Sequence, residues 1–413
     1  MGLFSSSSSR GSVLDVLIVG AGPAGLGCVI ALRECGVENM LVVDREGVGS
    51  SFEKWPQQMR MITPSFHSNP YGQADLNAIT PHTSPADYLR TEHPTGQEYA
   101  RYLSSLALHY EIPLRSGVEV KGIEKKGDTF HISTDAETMR SRFVIWAVGE
   151  FLHPHDGGIE GAELCRHNST IADWRDLPGV EHAIIGGFES GIDAAVHLAR
   201  AGKSVHLLSR GEPWHQDSPD PSRTLTPFTR DRLKSAYLEA AGSIRLYKNA
   251  EIVRVEKKDE CFVLTDGDGI PFEISTTPIL CTGFRGALRG VEAHFHDENG
   301  KPVFSEAADE SLVTPGLFYS GPALQHRGTL FCFIYKFRGR FGVIAREIAE
   351  RLDLEWSGAL QLWWQRGFLI EDLACCTDCT CAVESEAAAE PDAVEDFGES
   401  VTASGTGTFS RNR

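Results

Sequence analysis

No stretch of this sequence approaches the about 18 consecutive apolar residues of a membrane-crossing helix, so no integral membrane span is expected. Positive charge is scarce. Lys and Arg number 39 against 57 Asp and Glu, a formal net charge of −18. That balance argues against non-specific binding to nucleic acid or to an anionic membrane surface, because like charges repel. The serine-rich start lacks the apolar core of a secretory signal. The ten cysteines are scattered until a late cluster, unlike the spacing of a secreted disulfide framework. A reducing, cytoplasmic compartment is the expectation.

What remains is ordinary for a globular chain: 413 residues, 41% hydrophobic and 23% charged, long enough for two or three domains. Glycine is in excess, with 41 residues against an average usage of about 7%. Excess glycine points to special backbone geometry, often where backbone approaches a ligand.

The two ends differ from the middle. Residues 1–12 (MGLFSSSSSRGS) are low in complexity and read as a disordered leader. They fit the N-myristoylation pattern, with Gly2 behind the initiator and Ser6 at the hydroxyl position, although an unmodified leader is the commoner cause of so short a pattern. Residues 373–413 hold eight acidic and two basic residues, a net of −6, and few large apolar ones. That tail is expected not to pack.

Between the ends one pattern occurs twice. VLDVLIVG (13–20) leads through a glycine turn to an apolar helical stretch at 24–35 and then to MLVVD (40–44). EHAIIGG (181–187) leads in the same way to 190–201 and then to SVHLLSR (204–210). Short apolar runs ending in glycine suit strands buried on both faces of a parallel sheet. Strand, turn, helix and parallel strand make the βαβ unit of doubly wound folds, and two copies imply two nucleotide-binding domains.

The first turn, Gly20-Ala21-Gly22-Pro23-Ala24-Gly25, matches G-x-G-x-x-G. Gly20 permits the tight turn, Gly22 lets backbone approach a pyrophosphate, and Gly25 lets the helix pack on the sheet. The helix N-terminus then offers free N–H groups to phosphate. Asp44, 24 residues after Gly20, stands where an acid would meet ribose hydroxyls. The second turn, Gly186-Gly187-Phe188-Glu189-Ser190-Gly191, keeps the outer glycines but has Phe188 at the middle position. Its ring must point away from any pyrophosphate, and Gly187 is the residue that could supply the missing freedom. Twenty-four residues after Gly186 come Ser209 and Arg210, a hydroxyl and a guanidinium instead of an acid. Arginine there accommodates a 2′-phosphate, which favours NADPH over NADH. Two further strands, FVIWAVG (143–149) and PILCTG (278–283), bracket the second unit, as if the chain leaves one domain and re-enters it at those strands.

At these residues the sequence resembles the flavoproteins with two dinucleotide-binding domains: flavin-containing monooxygenases, thioredoxin-reductase-like enzymes and bacillithiol-disulfide-reductase-like proteins. The carriers are GAGPAG with Asp44, GVGSSFEKWP (47–56), WAVG (146–149), GGFESGIDAA with Arg210, CTG (281–283) and FYSGP (318–322). The run FCFIYKFRGRFGVIAREIAERL (331–352) is most similar to the bacillithiol-reductase-like branch. The resemblance implies an α/β fold in which a Rossmann-like FAD-binding domain (13–150 and 284–372) carries an inserted Rossmann-like NADPH-binding domain (151–283). It also implies an FAD site in which Gly20, Gly22 and Gly25 meet the pyrophosphate and Asp44 the adenosine ribose. Gly49, Ser51 and Trp55 would run beside the flavin, the backbone of Val120 would meet the adenine, and Gly149 would lie at the crossing between domains. Gly321 and Pro322 would approach the flavin ring, although many relatives carry aspartate where Pro322 stands. Gly186, Gly187, Ser190, Gly191, Ser209 and Arg210 would hold NADPH.

FAD with NADPH implies hydride transfer to flavin, and the cofactors supply that chemistry. The leading expectation is a monooxygenase-like enzyme acting on a small organic substrate. A disulfide or quinone reductase is the alternative, and a non-catalytic flavin redox sensor a third. The monooxygenase signature before the second turn is degraded, with Arg166 and Thr170 at its glycine and histidine positions and Thr63-Pro64 where threonine-asparagine occurs. The reductase branch places a cysteine where Ala24 stands, and Cys28, one turn on, reads as a packed core thiol. The tail cluster Cys375, Cys376, Cys379 and Cys381 could shuttle electrons through Cys376 and Cys379, or bind zinc, but its compressed spacing makes a metal site the weaker reading and no metal is assigned. His67, in an aromatic loop expected to line the substrate face of the flavin, is a candidate acid or base. Lys336, Arg338 and Arg340 read either as a basic patch for an anion or as a solvated helix face. A homodimer is left open.

Overall fold

The computed structural model describes residues 13–67, 72–218 and 220–373, and the backbone of a strand at Val401–Thr402. Gly2, Cys376 and Cys379 lie outside the described residues.

The first unit opens with β1 (Leu14–Val19), whose last four residues are all buried, as befits a strand covered on both faces. It turns into α1 (Pro23–Glu34), where Pro23 sits in the first turn and needs no hydrogen-bond partner for its nitrogen. β2 (Met40–Asp44) returns parallel to β1, with Val16 opposite Met40. The short α2 (Ser50–Glu53) and α3 (Pro85–Leu89) precede α4 (Gly96–His109), whose start is fixed by a capping box of Thr95 and Glu98. β3 (Leu114–Ser116) joins the outer edge of β2. An antiparallel run of β4 (Val120–Lys126), β5 (Thr129–Thr134) and β6 (Thr138–Trp146) follows. β6 pairs antiparallel with β5 at its start and parallel with β1 at its end.

The chain then builds a second sheet. β7 (Arg166–His167), β8 (Glu181–Ile185), α5 (Glu189–Arg200), β9 (Ser204–Leu208), α6 (Pro227–Glu239) and β10 (Ile244–Lys248) form a second βαβ array. A three-stranded antiparallel flap, β11 (Ile252–Lys258), β12 (Cys261–Asp266) and β13 (Pro271–Ile274), leads to β14 (Ile279–Leu280). β14 pairs parallel with both β8 and β7. It therefore completes the second sheet rather than re-entering the first. Re-entry falls to β15 (Leu317–Tyr319), which pairs parallel with the far end of β6. That three-residue strand was not legible as a strand, although Phe318 and Tyr319 lie within the FYSGP segment.

The hairpin β16 (Gln325–His326) and β17 (Thr329–Leu330) leads to α7 (Ile334–Phe337), α8 (Phe341–Arg351) and α9 (Gln361–Gln365). α8 packs on α1 so closely that a Cβ on Gly27 would overlap the ring of Phe341. β18 (Val401–Thr402) pairs parallel with β10. The whole is an α/β fold in which one Rossmann-like unit is inserted into another. No helix among the described residues is long and apolar enough to cross a membrane.

Neither reading of Lys336, Arg338 and Arg340 survives. Arg340 is 1% exposed and its guanidinium grips Asp309, which also accepts from His326. Arg338 is 5% exposed, spans the backbone carbonyls of Asp75 and Ala78, and stacks on Phe368. Lys336 pairs with Asp220 across the two units. These cations brace the interior, and each is hydrogen-bonded because an unpaired buried charge is costly.

Candidate active site

The two glycine turns share one construction. Gly20 has φ +112 and Gly186 φ +109. A Cβ on Gly20 would stand 2.6 Å from the carbonyl oxygen of Ala147, and one on Gly186 would strike that of Cys281. A Cβ on Gly25 would collide with Gly20, and one on Gly191 with Gly186, so each helix rides on its own turn. Gly22 differs from these. It is the N-cap of α1, and nothing lies within 4 Å of where its Cβ would be.

Asp44 closes the first turn. Its Oδ2 accepts the backbone N–H of Ala21 at 2.8 Å, and its Oδ1 accepts those of Glu46 and Gly47, each at 2.8 Å. The carboxylate is thus oriented by backbone on both sides while remaining on the wall of a cavity.

That cavity, of about 600 Å³, extends between the two units. Of the residues picked from sequence, Gly20, Gly22 and Asp44 line it, as do Gly49, Ser51 and Trp55. Val120, Gly149 and Ser190 lie on the wall as well. Gly25, Gly186, Gly187 and Gly191 shape the turns behind it. Pro322 reaches the wall where Gly321, at φ +148, bends the chain. Ser209 is buried with its hydroxyl facing Gly187, whereas the Arg210 side chain is 82% exposed, 4.0 Å from Glu251.

Several contacts join the units around the cavity. Gln58 donates to Asp173 at 2.7 Å, the backbone N–H of Gln57 donates to Ala172, and the rings of His93 and Phe228 stack with centroids 3.7 Å apart. Residues 17–321 match the family of pyridine nucleotide-disulphide oxidoreductases. The chain belongs to that family. It is a flavin-dependent pyridine nucleotide oxidoreductase whose cofactors are FAD and NAD(P)H.

Among the curated relatives of this family member, bacilliredoxin reductase Bdr of Bacillus subtilis is 24% identical over 81% of this chain and 97% of its own length. A ferredoxin–NADP reductase of Lactococcus lactis is 25% identical over 48% of this chain and 56% of its own. Among solved structures, the bacillithiol disulfide reductase of Staphylococcus aureus superposes with a TM-score of 0.66 at 20% identity, covering 82% of this chain and 99% of that one. The flavin-containing monooxygenase of Stenotrophomonas maltophilia superposes with a TM-score of 0.61 at 16% identity, covering 83% and 99%. Likeness at these identities shows the fold.

The oxidoreductase's cavity carries groups that sequence reasoning passed over. Glu150 follows Gly149 onto the wall, and its carboxyl has no hydrogen-bond or ion-pair partner among the described residues. Burial pushes its pKa up to about 7. Cys332 lies on the same wall and donates to Ser222 Oγ at 3.2 Å. Burial is the main cause of its raised thiol pKa, opposed by Ser222 and by the ammonium of Lys336. Cys28, in contrast, is fully buried and its thiol is pushed up to about 12, which makes it inert. The only sequence signals for Glu150 and Cys332 were their positions, directly after WAVG and inside FCFIYKF.

His67 lies away from this cavity. It sits on the surface, its ring hydrogen-bonded to Asp87, and lines a separate shallow depression. The loop before it, Met59 to Thr63, does reach the main cavity. At the degraded signature, Arg166 donates to the carbonyl oxygen of Thr170 and the Thr170 hydroxyl to that of His167, so both residues are absorbed in a local turn.

Proposed function

We propose that this chain is an FAD-containing, NADPH-dependent reductase of a small organic acceptor carrying a disulfide or quinone. The carrying observation is that one cavity touches both nucleotide turns and holds the thiol of Cys332. The residues fit a bound FAD. The open space beyond Gly22 is the room a pyrophosphate needs, and the α1 N-terminus supplies its N–H groups. Asp44 would take the adenosine ribose and Val120 the adenine, while Gly49, Ser51, Trp55 and Gly149 would flank the flavin, with Gly321 and Pro322 closing on its ring. Gly186, Gly187, Ser190, Gly191 and Ser209 would seat the pyridine nucleotide, with Arg210 at its 2′-phosphate. Residues 13–150 and 284–372 then form the FAD domain and 151–283 the NADPH domain.

When bound, flavin supplies two-electron transfer from nicotinamide to the acceptor. The chain's own groups do the rest. Trp55, Phe151 and Phe333 give the cavity an apolar stretch of wall. Glu150 holds a proton near neutrality and can deliver it to the departing group. For a disulfide the balance is NADPH, one proton and R–S–S–R giving NADP⁺ and two thiols: Cys332 would displace the first thiol and hold the second as a mixed disulfide, and the electron pair from NADPH, passed through FAD, would break that bond, release the second thiol and restore Cys332.

A second reading, oxygenation of a small substrate, is favoured by Ala24 on the wall, where the reductase branch carries cysteine, and by the sealing of Cys28. One experiment separates the two. The FAD-loaded protein is bleached anaerobically with NADPH and then offered a small disulfide, a quinone or oxygen with candidate substrates. Reoxidation by the disulfide, lost in Cys332→Ser while bleaching persists, supports the first. Reoxidation by oxygen alone, with an oxygenated product, replaces it with the second.

A further inference from the structure

The second nucleotide turn carries a feature that the first does not. Gly22 and Phe188 occupy the same place in their turns, each the N-cap of the helix that follows. Their backbones agree closely, with φ −86 and ψ −169 at Gly22 and φ −93 and ψ −163 at Phe188. A Cβ therefore leaves both positions in the same direction relative to its helix. At Gly22 that direction is empty for 4 Å and opens on the cavity, which is where a pyrophosphate approaches the backbone. At Phe188 the same direction is taken by a benzyl side chain that also lies on the cavity wall and is 39% exposed.

Gly187 offers no substitute. Its own Cβ direction is closed by the Ser209 hydroxyl, with Trp214 behind it. The next residue, Glu189, adds a carboxyl in the first turn of α5, where a phosphate would otherwise gain from the helix dipole. That carboxyl is engaged, accepting from the backbone N–H of Thr226 at 2.6 Å and from the hydroxyl of Thr229 at 2.5 Å, so it cannot swing away without giving up its two hydrogen bonds to the start of α6.

We propose that Phe188 stands over the pyrophosphate position of the pyridine-nucleotide site and sets the affinity for the dinucleotide, which binds fully only when the ring turns aside. This rests on the NADPH reading above. Because NADH and NADPH share the pyrophosphate, the ring weakens both alike, whereas Arg210 acts on the 2′-phosphate alone.

The test is equilibrium calorimetry on the FAD-loaded wild type, Phe188→Gly and Phe188→Ala, with NADP⁺, NAD⁺ and adenosine 2′,5′-bisphosphate, which lacks the pyrophosphate bridge. Glycine is tolerated at an N-cap, so Phe188→Gly should fold, and its melting temperature checks this. The expected result is about tenfold tighter binding of both dinucleotides by Phe188→Gly, a smaller gain for Phe188→Ala, and no change for the bisphosphate. The rate of flavin bleaching at low NADPH rises by the same factor. Dinucleotide affinity unchanged or weakened in both variants, while wild type is still bleached by NADPH, overturns the proposal and makes the ring a stacking surface. Failure of the NADPH reading looks different: wild type binds none of the three ligands and NADPH does not bleach it. If the variants then bind dinucleotide, the obstruction stands; if they do not, it falls with that reading.

Discussion

The ammonium of Lys336 lies 2.6 Å from Oδ1 of Asp220 and 2.7 Å from Oγ of Ser222, and Ser222 accepts in turn from the thiol of Cys332. Lys336 and Cys332 belong to the re-entrant part of the first unit, while Asp220 and Ser222 belong to the inserted one. A single chain of polar contacts therefore runs from the interface between the units to a group on the cavity wall.

Lys336→Met should loosen this junction. Both side chains are largely covered, so the variant leaves Asp220 only the longer contact to the exposed Arg223 at 3.6 Å, at a cost of about 2 kcal/mol. Burial alone would raise the Asp220 pKa, but Lys336 and the backbone of Ser222 hold it below its usual 3.8. A depressed carboxyl contributes stability above its unfolded pKa and loses it as pH falls through the folded value. Thermal unfolding should show a lower midpoint for Lys336→Met at pH 7, and wild type and variant should converge in acid.

Glu150 carries the opposite sign. Its folded pKa is raised from 4.5 to about 7, so the folded chain keeps a proton that the unfolded chain releases. Its contribution is full below pH 4.5 and falls away as pH rises to about 7. Glu150→Gln should flatten that decline in unfolding measurements between pH 5 and 8. In turnover, the same substitution should remove a step near pH 7 from the acceptor-dependent rate and leave the rate of flavin bleaching close to wild type.

Asp44→Ala removes the acceptor of three backbone N–H groups as well as the proposed ribose contact. We expect FAD affinity to fall about 100-fold, the equivalent of one or two charge-assisted hydrogen bonds. The ratio of flavin to protein absorbance after purification, and titration of apoprotein with FAD, report it.

Arg210→Ala should raise the KM for NADPH about tenfold and leave that for NADH nearly unchanged, since the guanidinium is exposed and its ion pair to Glu251, at 4.0 Å, is long enough to yield to a 2′-phosphate. Steady-state kinetics with the two nucleotides measure the difference.

Thiol labelling should sort the cysteines by depth. Cys28, sealed in the core with its pKa pushed up to about 12, should resist iodoacetamide in the native protein, whereas Cys332 on the cavity wall should react. Bound FAD should slow the reaction at Cys332 and leave Cys28 untouched, as peptide mapping will show.

The two βαβ units, their glycine turns and Asp44 were readable because local rules govern them. A turn that needs φ near +110 at Gly20 and Gly186 restricts residue choice within a few positions, and apolar runs declare buried strands. The misreadings share one cause. The sequence of Lys336, Arg338 and Arg340 shows charge but not depth, and their partners Asp220, Asp75 and Asp309 are distant in the chain. β14 and β15 are both short, and only pairing decides which sheet each completes. His67 and Glu150 illustrate the same point in the site: a titratable group is recognisable anywhere, but whether it faces a cavity depends on the packing of elements far apart in sequence.

Sequence alone therefore determined that this chain builds two dinucleotide-binding turns, because backbone sterics at glycine and the period of strand and helix act locally. The tertiary structure decided what those turns face. It brought Cys332 and Glu150 to one wall, sent His67 to the surface, and turned Phe188 toward the cavity that Gly22 leaves open. Those outcomes depend on desolvation and long-range contact, which no window of the sequence contains.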